Sequence, residues 1–428
     1  MSDINTTTAK IYSAQEIADE MKMTFKTVCR FISSGELIAT KESGTYIVTE
    51  EDFNRFRNYI ESGDYKQHLK DVEDSFNEFL EYSENDKSTE PEWADISNVW
   101  NKVSESKMTF VDLFCGAGGL SRGLEMSGLH GICGLDFFKE AAMTYRRNFS
   151  HPFVYGDITK PETKEEFYKT VIEELNGREL DIVAGGFPCQ GFSMAGHRIV
   201  DDSRNSLYKE LIEIVKKLQP KFVICENVKG LRTMLNGLVE KKIVNDFMEI
   251  GYEMKVAVLN AADYYVPQKR ERVIFIGNRI GVENYHPSPI LKSSSEYVTL
   301  GQAVEDLMYI PENKAFNHVF PKHSEEIRKR IAEVPEGGSL MPKYKEAYKK
   351  SPWNEPSCTV KENHGGTNLH PKLPRCMTAR ELARLQSFPD DFIFEGPKSR
   401  QLTQIGNAVP PLLGKAIGLA VRKAASEL

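Results

Sequence analysis

The sequence lacks the features that would tie it to a membrane, a metal or an oxidising compartment. No apolar run reaches the roughly eighteen residues that a spanning helix needs, so a membrane partner is excluded. Residues 1–10 are polar, without the basic-then-apolar pattern of a signal peptide. Seven cysteines (29, 115, 133, 189, 225, 358 and 376) make an odd set with no Cys-x-x-Cys spacing. Zinc ribbons and disulfide frameworks are therefore not expected, no metal site is read, and a reducing cytoplasm is the natural setting. The chain also lacks a basic excess: its net charge is −7. Ser62 to Lys107 holds twelve acidic and five basic residues, which is −7 by itself, so the remainder sums to zero and only local charge informs.

What is present begins with a compact unit at 11–61. Ser13 can cap a helix whose apolar positions, Ala14, Ile17, Ala18 and Met21, fall at helical spacing. Thr24 can cap a second, Phe25 to Ile32, with Val28, Phe31 and Ile32 on one face and Lys26 and Arg30 on the other. Glu36 to Val48 reads as two strands turning through Ser43-Gly44, and Thr49 starts a last helix. This pattern resembles the excisionase-type winged helix-turn-helix, whose second helix enters the major groove. The resemblance implies operator DNA as a partner, with Lys22, Lys26, Arg30 and Lys41 as contacts; a small module for protein contact or dimerisation is the competing reading. The acidic stretch at 62–107 reads as a linker, within which Trp93 to Val103 could pack back onto the next domain.

From Met108 the pattern becomes α/β. Met108 to Phe114 is a strand, followed by Cys115-Gly116-Ala117-Gly118-Gly119 and a helix from Leu120 to Ser127. Glycines between a first strand and a first helix let a ligand approach the backbone. The full Gly-x-Gly-x-x-Gly fingerprint of dinucleotide sites is missing. A second strand, Gly131 to Leu135, ends at Asp136, placed to bind ribose hydroxyls, with Phe137 beside it to lie on an adenine face. A third ends near Asp157-Ile158, where an acid suits an adenine amino group. Either acid also suits a helix cap.

Leu180 to Val183 reads as a buried strand that opens through Gly185-Gly186 into Phe187-Pro188-Cys189-Gln190. Pro188 stiffens the approach to Cys189, a way to present a thiolate, although a lone cysteine is more often a small buried hydrophobe. Lys221 to Cys225 is another buried strand ending in Glu226-Asn227-Val228. Gln268-Lys269-Arg270-Glu271-Arg272 precedes a strand from Val273 to Gly277, and alternate arginines in extended chain share a face. Further on, Met341 to Pro374 carries six lysines against three glutamates, interleaved with Tyr344, Tyr348, Trp353 and His364, a footprint suited to phosphate and base-edge contact.

These motifs, in this order, resemble the C5-cytosine-specific DNA methyltransferases of the bacterial modification type. Asp112 to Gly119 is similar to their first motif, Pro188-Cys189-Gln190 to the nucleophile loop, and Glu226-Asn227-Val228 and Gln268-x-Arg270-x-Arg272 to the next two. Arg380 to Pro389 is similar to the penultimate motif, and Gln404 to Pro411, with Asn407-Ala408-Val409-Pro410, to the one that closes on the cofactor.

The resemblance implies a Rossmann-like mixed sheet that binds S-adenosylmethionine at 108–278, a small irregular target recognition region at 279–374, and a bracing motif with a return to the catalytic domain at 375–428. Phe114, Gly116, Gly118, Asp136, Phe137, Asp157, Ile158, Pro188, Asn407 and Val409 would line the cofactor. Cys189 would add to cytosine C6, Glu226 hold N3 and the exocyclic amine, Arg272 meet O2 and Arg270 brace the cysteine loop. His197 to Asn205 would close over the site, with Gln190, Ser193 and Arg204 near phosphates or the vacated stack. The expected partner is double-stranded DNA, bound by a monomer that swings the base out, in a restriction-modification or host-protection setting. A tRNA cytosine methyltransferase is the alternative within this chemistry. A DNA-binding regulator with a vestigial enzyme domain is the alternative outside it, and the retention of Cys189, Glu226 and Arg272 speaks against that.

Overall fold

The structure is a computed structural model that describes residues 10–33, 37–42, 45–64, 89–188, 206–341, 348–362 and 368–426. The chain forms two compact units, whose described parts are 10–64 and 89–426.

In the smaller unit β1 (Ile11–Ser13) leads into α1 (Ala14–Glu20), α2 (Phe25–Ser33), β2 (Thr40–Glu42), β3 (Thr45–Thr49) and α3 (Glu50–Glu61). Ser13 caps α1 in a reciprocal box with Glu16, and Thr49 caps α3 through the Asp52 amide. The hairpin expected from the sequence forms with Thr40 opposite Ile47. A third strand, β1, joins it antiparallel to β3. Ile17, Val28, Phe31, Val48, Phe53 and Phe56 close the core.

The larger unit starts earlier than the sequence suggests. β4 (Glu92–Ala94) lies within the stretch read as a linker, and Ala94, Ile96 and Trp100 are buried in the main core. This is the packing expected of Trp93 to Val103, and the charge at Glu90, Glu92 and Asp95 faces away from the apolar positions. The central sheet comprises β5 (Thr109–Leu113), α4 (Gly119–Met126), β6 (His130–Asp136), α5 (Lys139–Asn148), β7 (Phe153–Tyr155), α6 (Pro161–Leu175), β8 (Ile182–Gly185), α7 (Ser206–Leu218), β9 (Phe222–Val228), α8 (Leu238–Glu249), β10 (Glu253–Asn260) and β11 (Glu271–Asn278), strands and crossover helices together. The seven strands lie in the order β10-β11-β9-β8-β5-β6-β7. β11 is antiparallel to both neighbours; the other pairings are parallel. β5, β8 and β9 are covered on both faces, which is why they read as near-continuous apolar runs. The chain winds outward from β5 to β7, then crosses back to β8. This puts a topological switch point between the carboxyl ends of β5 and β8, where Leu113 faces Gly185 in register.

After β11, β12 (Tyr285–Pro287) pairs with β4. Among the described residues, the interval up to Leu373 holds little regular structure: α9 (Leu300–Val304), two single 3₁₀ turns, α10 (Glu325–Glu333), and the short pair β13 (Lys349–Lys350) and β14 (Asn368–Leu369). Then come α11 (Ala379–Leu385), α12 (Lys398–Asn407) and α13 (Pro411–Ala425). α13 returns to α4 so closely that a Cβ on Gly123 would stand 2.6 Å from the Gly414 Cα. The carboxyl-terminal segment thereby completes the half of the unit begun at β5. No helix of the described residues is long and apolar enough to cross a membrane.

Candidate active site

Among the described residues, Phe114, Asp136, Asp157, Pro188 and Glu226 lie at or near the carboxyl ends of β5, β6, β7, β8 and β9. At the end of β5, Phe114 and Gly116 take left-handed backbone conformations (φ 55° and 53°), and Gly118 does so at φ 92°. A Cβ at Gly116 would meet nothing within 4 Å, so this turn presents bare backbone to open space. Asp136, the last residue of β6, accepts the Gly116 amide at 2.8 Å and the Phe138 amide at 2.8 Å. It thus fixes the glycine turn itself, while its remaining lone pairs stay available for hydroxyls. Burial pushes its carboxyl up, against the pull of those amides. Phe137 is 67 % exposed, an uncovered ring beside the acid. Asp157 is exposed beyond β7, holding the Thr159 amide and hydroxyl at 3.0 and 2.8 Å, with Ile158 buried next to it. Asn407 is exposed at the end of α12. The Val409 carbonyl closes against Gly119, where a Cβ would stand 2.2 Å from it. An open glycine turn, an exposed aromatic ring and the acids Asp136 and Asp157 fit a nucleoside with an amino-acid tail such as S-adenosylmethionine.

Cys189, Gln190, Ser193 and His197 to Asn205 lie outside the described residues. Phe187 and Pro188, described to the brink of that loop, are held by Asn227, whose Nδ2 donates to the Phe187 carbonyl at 2.9 Å. Among the described thiols, Cys115, Cys133, Cys225 and Cys376 are buried, and burial pushes each up, Cys133 to about 12 and Cys376 to about 11. None of these four suits a thiolate.

Glu226 sits inside β9 rather than beyond it, opposite Ile274 of β11. Arg272 lies inside β11, opposite Val228, rather than before the strand. Their side chains meet with Arg272 Nε 2.8 Å from Glu226 Oε1, each side chain only 12 % exposed. A Cβ at Gly186 would stand 3.1 Å from the other carboxylate oxygen, so the acid lies against the backbone leading to Cys189.

The cysteine loop that Arg270 is expected to brace lies outside the described residues. The described hydrogen bonds of Arg270 run to the carbonyls of Val360 (2.8 Å), Gly406 and Ala408 (both 3.0 Å). These partners are ninety or more positions away, and nothing local in the sequence marks them. Also unforeseen is a buried chain behind the glycine turn. Ser121 Oγ contacts Asp112 Oδ2 at 2.5 Å and Tyr145 Oη at 2.9 Å, Tyr145 Oη lies 2.8 Å from His151 Nε2, and His151 Nδ1 is 3.4 Å from Glu125. Burial pushes Asp112 up to about 7.

Comparison with known proteins gives a consistent result. The profile of the C-5 cytosine-specific DNA methylase family matches residues 108–423. The Type II methyltransferase M1.HphI of Haemophilus parahaemolyticus is 40% identical over 332 residues, covering 74% of this chain and 87% of its own length. The Type II methyltransferase M.Eco47II of Escherichia coli is 31% identical over 442 residues, covering 96% of this chain and 95% of its own. A crystal structure of a DNA modification methyltransferase encoded within an E. coli prophage superposes with a TM-score of 0.60 at 26% identity, covering 75% of this chain and all of that one.

Proposed function

The chain belongs to the C-5 cytosine-specific DNA methylase family, and on that premise we propose that it methylates a flipped-out cytosine in duplex DNA through a transient bond from Cys189. It is a DNA methyltransferase that uses S-adenosylmethionine, and its relatives are modification enzymes of the Type II class. The observation that carries the proposed chemistry is the Arg272–Glu226 pair, set against the backbone that leads to Cys189.

Phe114, Gly116, Gly118, Asp136, Phe137, Asp157, Ile158, Pro188, Asn407 and Val409 would hold the cofactor. S-Adenosylmethionine, when bound, supplies the methyl group that C5 takes up. Cytosine C5 is a weak nucleophile until the Cys189 thiolate bonds to C6, which drives the ring electrons toward C5 and leaves charge at N3 and O2. Glu226 holds a proton at N3 and the Arg272 guanidinium meets O2, both in a partly desolvated site where such contacts gain strength. After methylation, loss of the C5 proton lets the ring expel the thiolate. The target carbon lies within the base stack, so the nucleotide leaves the duplex first. Region 279–374 reads the flanking bases.

A duplex containing 5-fluorocytosine, whose C5 fluorine cannot leave as a proton does, tests this directly. The wild-type protein is expected to be trapped covalently and Cys189→Ser is not; near-normal methylation by that variant would overturn the reading. The same assay on tRNA decides the nucleic acid.

We also infer that the smaller unit is a winged helix-turn-helix that binds an operator. Supporting this are α1 and α2, four residues apart, and the β2–β3 hairpin after them. Lys26→Glu should abolish a footprint on the protein's own promoter while leaving methylation intact; an unchanged footprint would end the idea.

A further inference from the structure

Three motifs far apart in sequence are tied by one buried knot. Gln268 Oε1 accepts the Val360 amide at 2.7 Å, and its Nε2 donates to the Leu385 carbonyl at 3.1 Å and to Gln386 Oε1 at 2.8 Å. Gln386 Nε2 continues to the carbonyls of Ile405 (2.6 Å) and Ala408 (3.3 Å). Arg270 closes the knot, one nitrogen on the Val360 carbonyl and the other shared between those of Gly406 and Ala408. Gln268, Arg270 and Gln386 are all buried. The segment around Val360 is pressed so hard onto the closing motif that a Cβ on Gly406 would stand 2.3 Å from the Glu362 amide nitrogen.

This knot has the cofactor side on one flank and the base side on the other. The two carbonyls that share one Arg270 nitrogen straddle Asn407, whose exposed side chain and nearby Val409 belong to the cofactor wall. Two residues past Arg270 the same chain carries Arg272, held on Glu226. A buried guanidinium remains charged and loses heavily if any of these acceptors withdraws. A shift of the closing segment must therefore carry the start of β11 with it, as packed polar networks move between discrete arrangements rather than deform smoothly.

We propose that Arg270 is a positioning residue that couples occupancy of the cofactor site to the Arg272–Glu226 pair, so that cofactor and DNA binding are linked through it. This rests on the reading of Asn407 and Val409 as cofactor contacts and of Arg272 and Glu226 as base contacts. Linkage requires the coupling to be reciprocal: S-adenosylhomocysteine tightens DNA by the same factor as DNA tightens S-adenosylhomocysteine.

The target site is first identified by bisulfite sequencing of a host expressing the protein. Four dissociation constants are then measured: S-adenosylhomocysteine with and without a duplex of that sequence, and the duplex with and without S-adenosylhomocysteine. The wild-type protein is expected to show a factor of roughly ten both ways, within the usual range for allosteric coupling. Arg270→Lys, which cannot serve separate carbonyls as a planar fork does, should bring that factor near one. Gln386→Met should reduce it by part, because Arg270 keeps its own bonds. A merely structural role would lower thermal stability or weaken each ligand alone without changing the ratio.

Hydrogen exchange on the wild-type protein needs no variant. S-Adenosylhomocysteine alone should slow exchange at 268–272 and 357–362 as well as around 407–409. An unchanged ratio in a folded variant, a wild-type factor of one, or protection confined to the cofactor wall would each overturn the coupling. Failure of S-adenosylhomocysteine to bind at all would instead overturn the cofactor reading, and the coupling with it.

Discussion

Asn317 and Phe394 exchange two hydrogen bonds, the side-chain amide donating to the Phe394 carbonyl at 2.9 Å and its oxygen accepting the Phe394 amide at 2.8 Å. On the next residue back, Asn148 of α5 does the same with Ile393, at 2.8 and 2.9 Å. Two asparagines thus stand in for strand neighbours on the segment at 393–394, joining the interval after β12 to the helix beyond Phe137. Asn317→Ala leaves a buried donor and acceptor unmet and should cost about 1–3 kcal/mol in urea unfolding. Asn317→Asp, which keeps only the acceptor, is expected to retain catalysis yet fall below wild type in stability.

Glu226→Gln preserves shape but removes the carboxylate that pairs with Arg272. It should lower kcat by roughly 10²–10⁴-fold, the range for a positioned acid or base, with a smaller change in the KM for DNA. Single-turnover methylation measures it. A near-normal kcat would remove Glu226 from the chemistry.

Gly119→Ala drives a methyl group toward the Val409 carbonyl, 2.2 Å away, and the Ala408 Cβ, 3.1 Å away. Both neighbours belong to the closing motif, so relief must come from parting α4 from the segment at 408–409, which is proposed to line the cofactor. The expected result is about 1–3 kcal/mol of destabilisation and a KM for S-adenosylmethionine raised more than that for DNA.

Asp112 gives a pH dependence of definite sign. Burial holds its carboxyl near 7, against 3.8 for an ordinary aspartate. Between those values the native protein keeps a proton that the unfolded chain has released. Its contribution is therefore complete below about pH 3.8 and is lost as pH rises through about 7. Asp112→Asn can still accept from Ser121 but does not titrate. Its melting temperature should fall less than the wild-type value between about pH 6 and about pH 8, measured by scanning calorimetry.

Truncation tests where the larger unit begins. A chain starting at Ser88 keeps β4, Ile96 and Trp100, whose carbonyl accepts Lys415 Nζ at 2.7 Å. A chain starting at Met108 loses them and uncovers α13. The first is expected to methylate DNA and melt near the larger unit of the full chain; the second should unfold at lower denaturant or aggregate.

The strands of the larger unit and its family motifs were legible because the motifs sit where periodicity breaks, at strand ends such as Leu113, Asp136 and Gly185. Glycines and acids there cannot be explained as core. The packing of Trp100 was legible too, as part of Trp93 to Val103, whereas β4 was not, because twelve acidic residues between Ser62 and Lys107 outweigh a few buried positions in any composition window. β1 escaped for a different reason: a strand of three residues has no period of its own and exists through its pairing with β3. Arg270 was visible as a motif residue, but the three carbonyls it holds lie 90, 136 and 138 positions downstream, beyond any local signal.

The reversed course of β11 has a chemical outcome. Its neighbours deliver their last residues to the reactive edge, whereas β11 delivers its first, so the edge receives a guanidinium from an entering chain and a carboxylate from a departing one. Run in the other direction over the same rungs, the strand would set Arg272 opposite Phe222, four residues or roughly 13 Å along β9 from Glu226. The inversion of one strand is what lets opposite charges be built two rungs apart on one face, with neither borrowed from a loop.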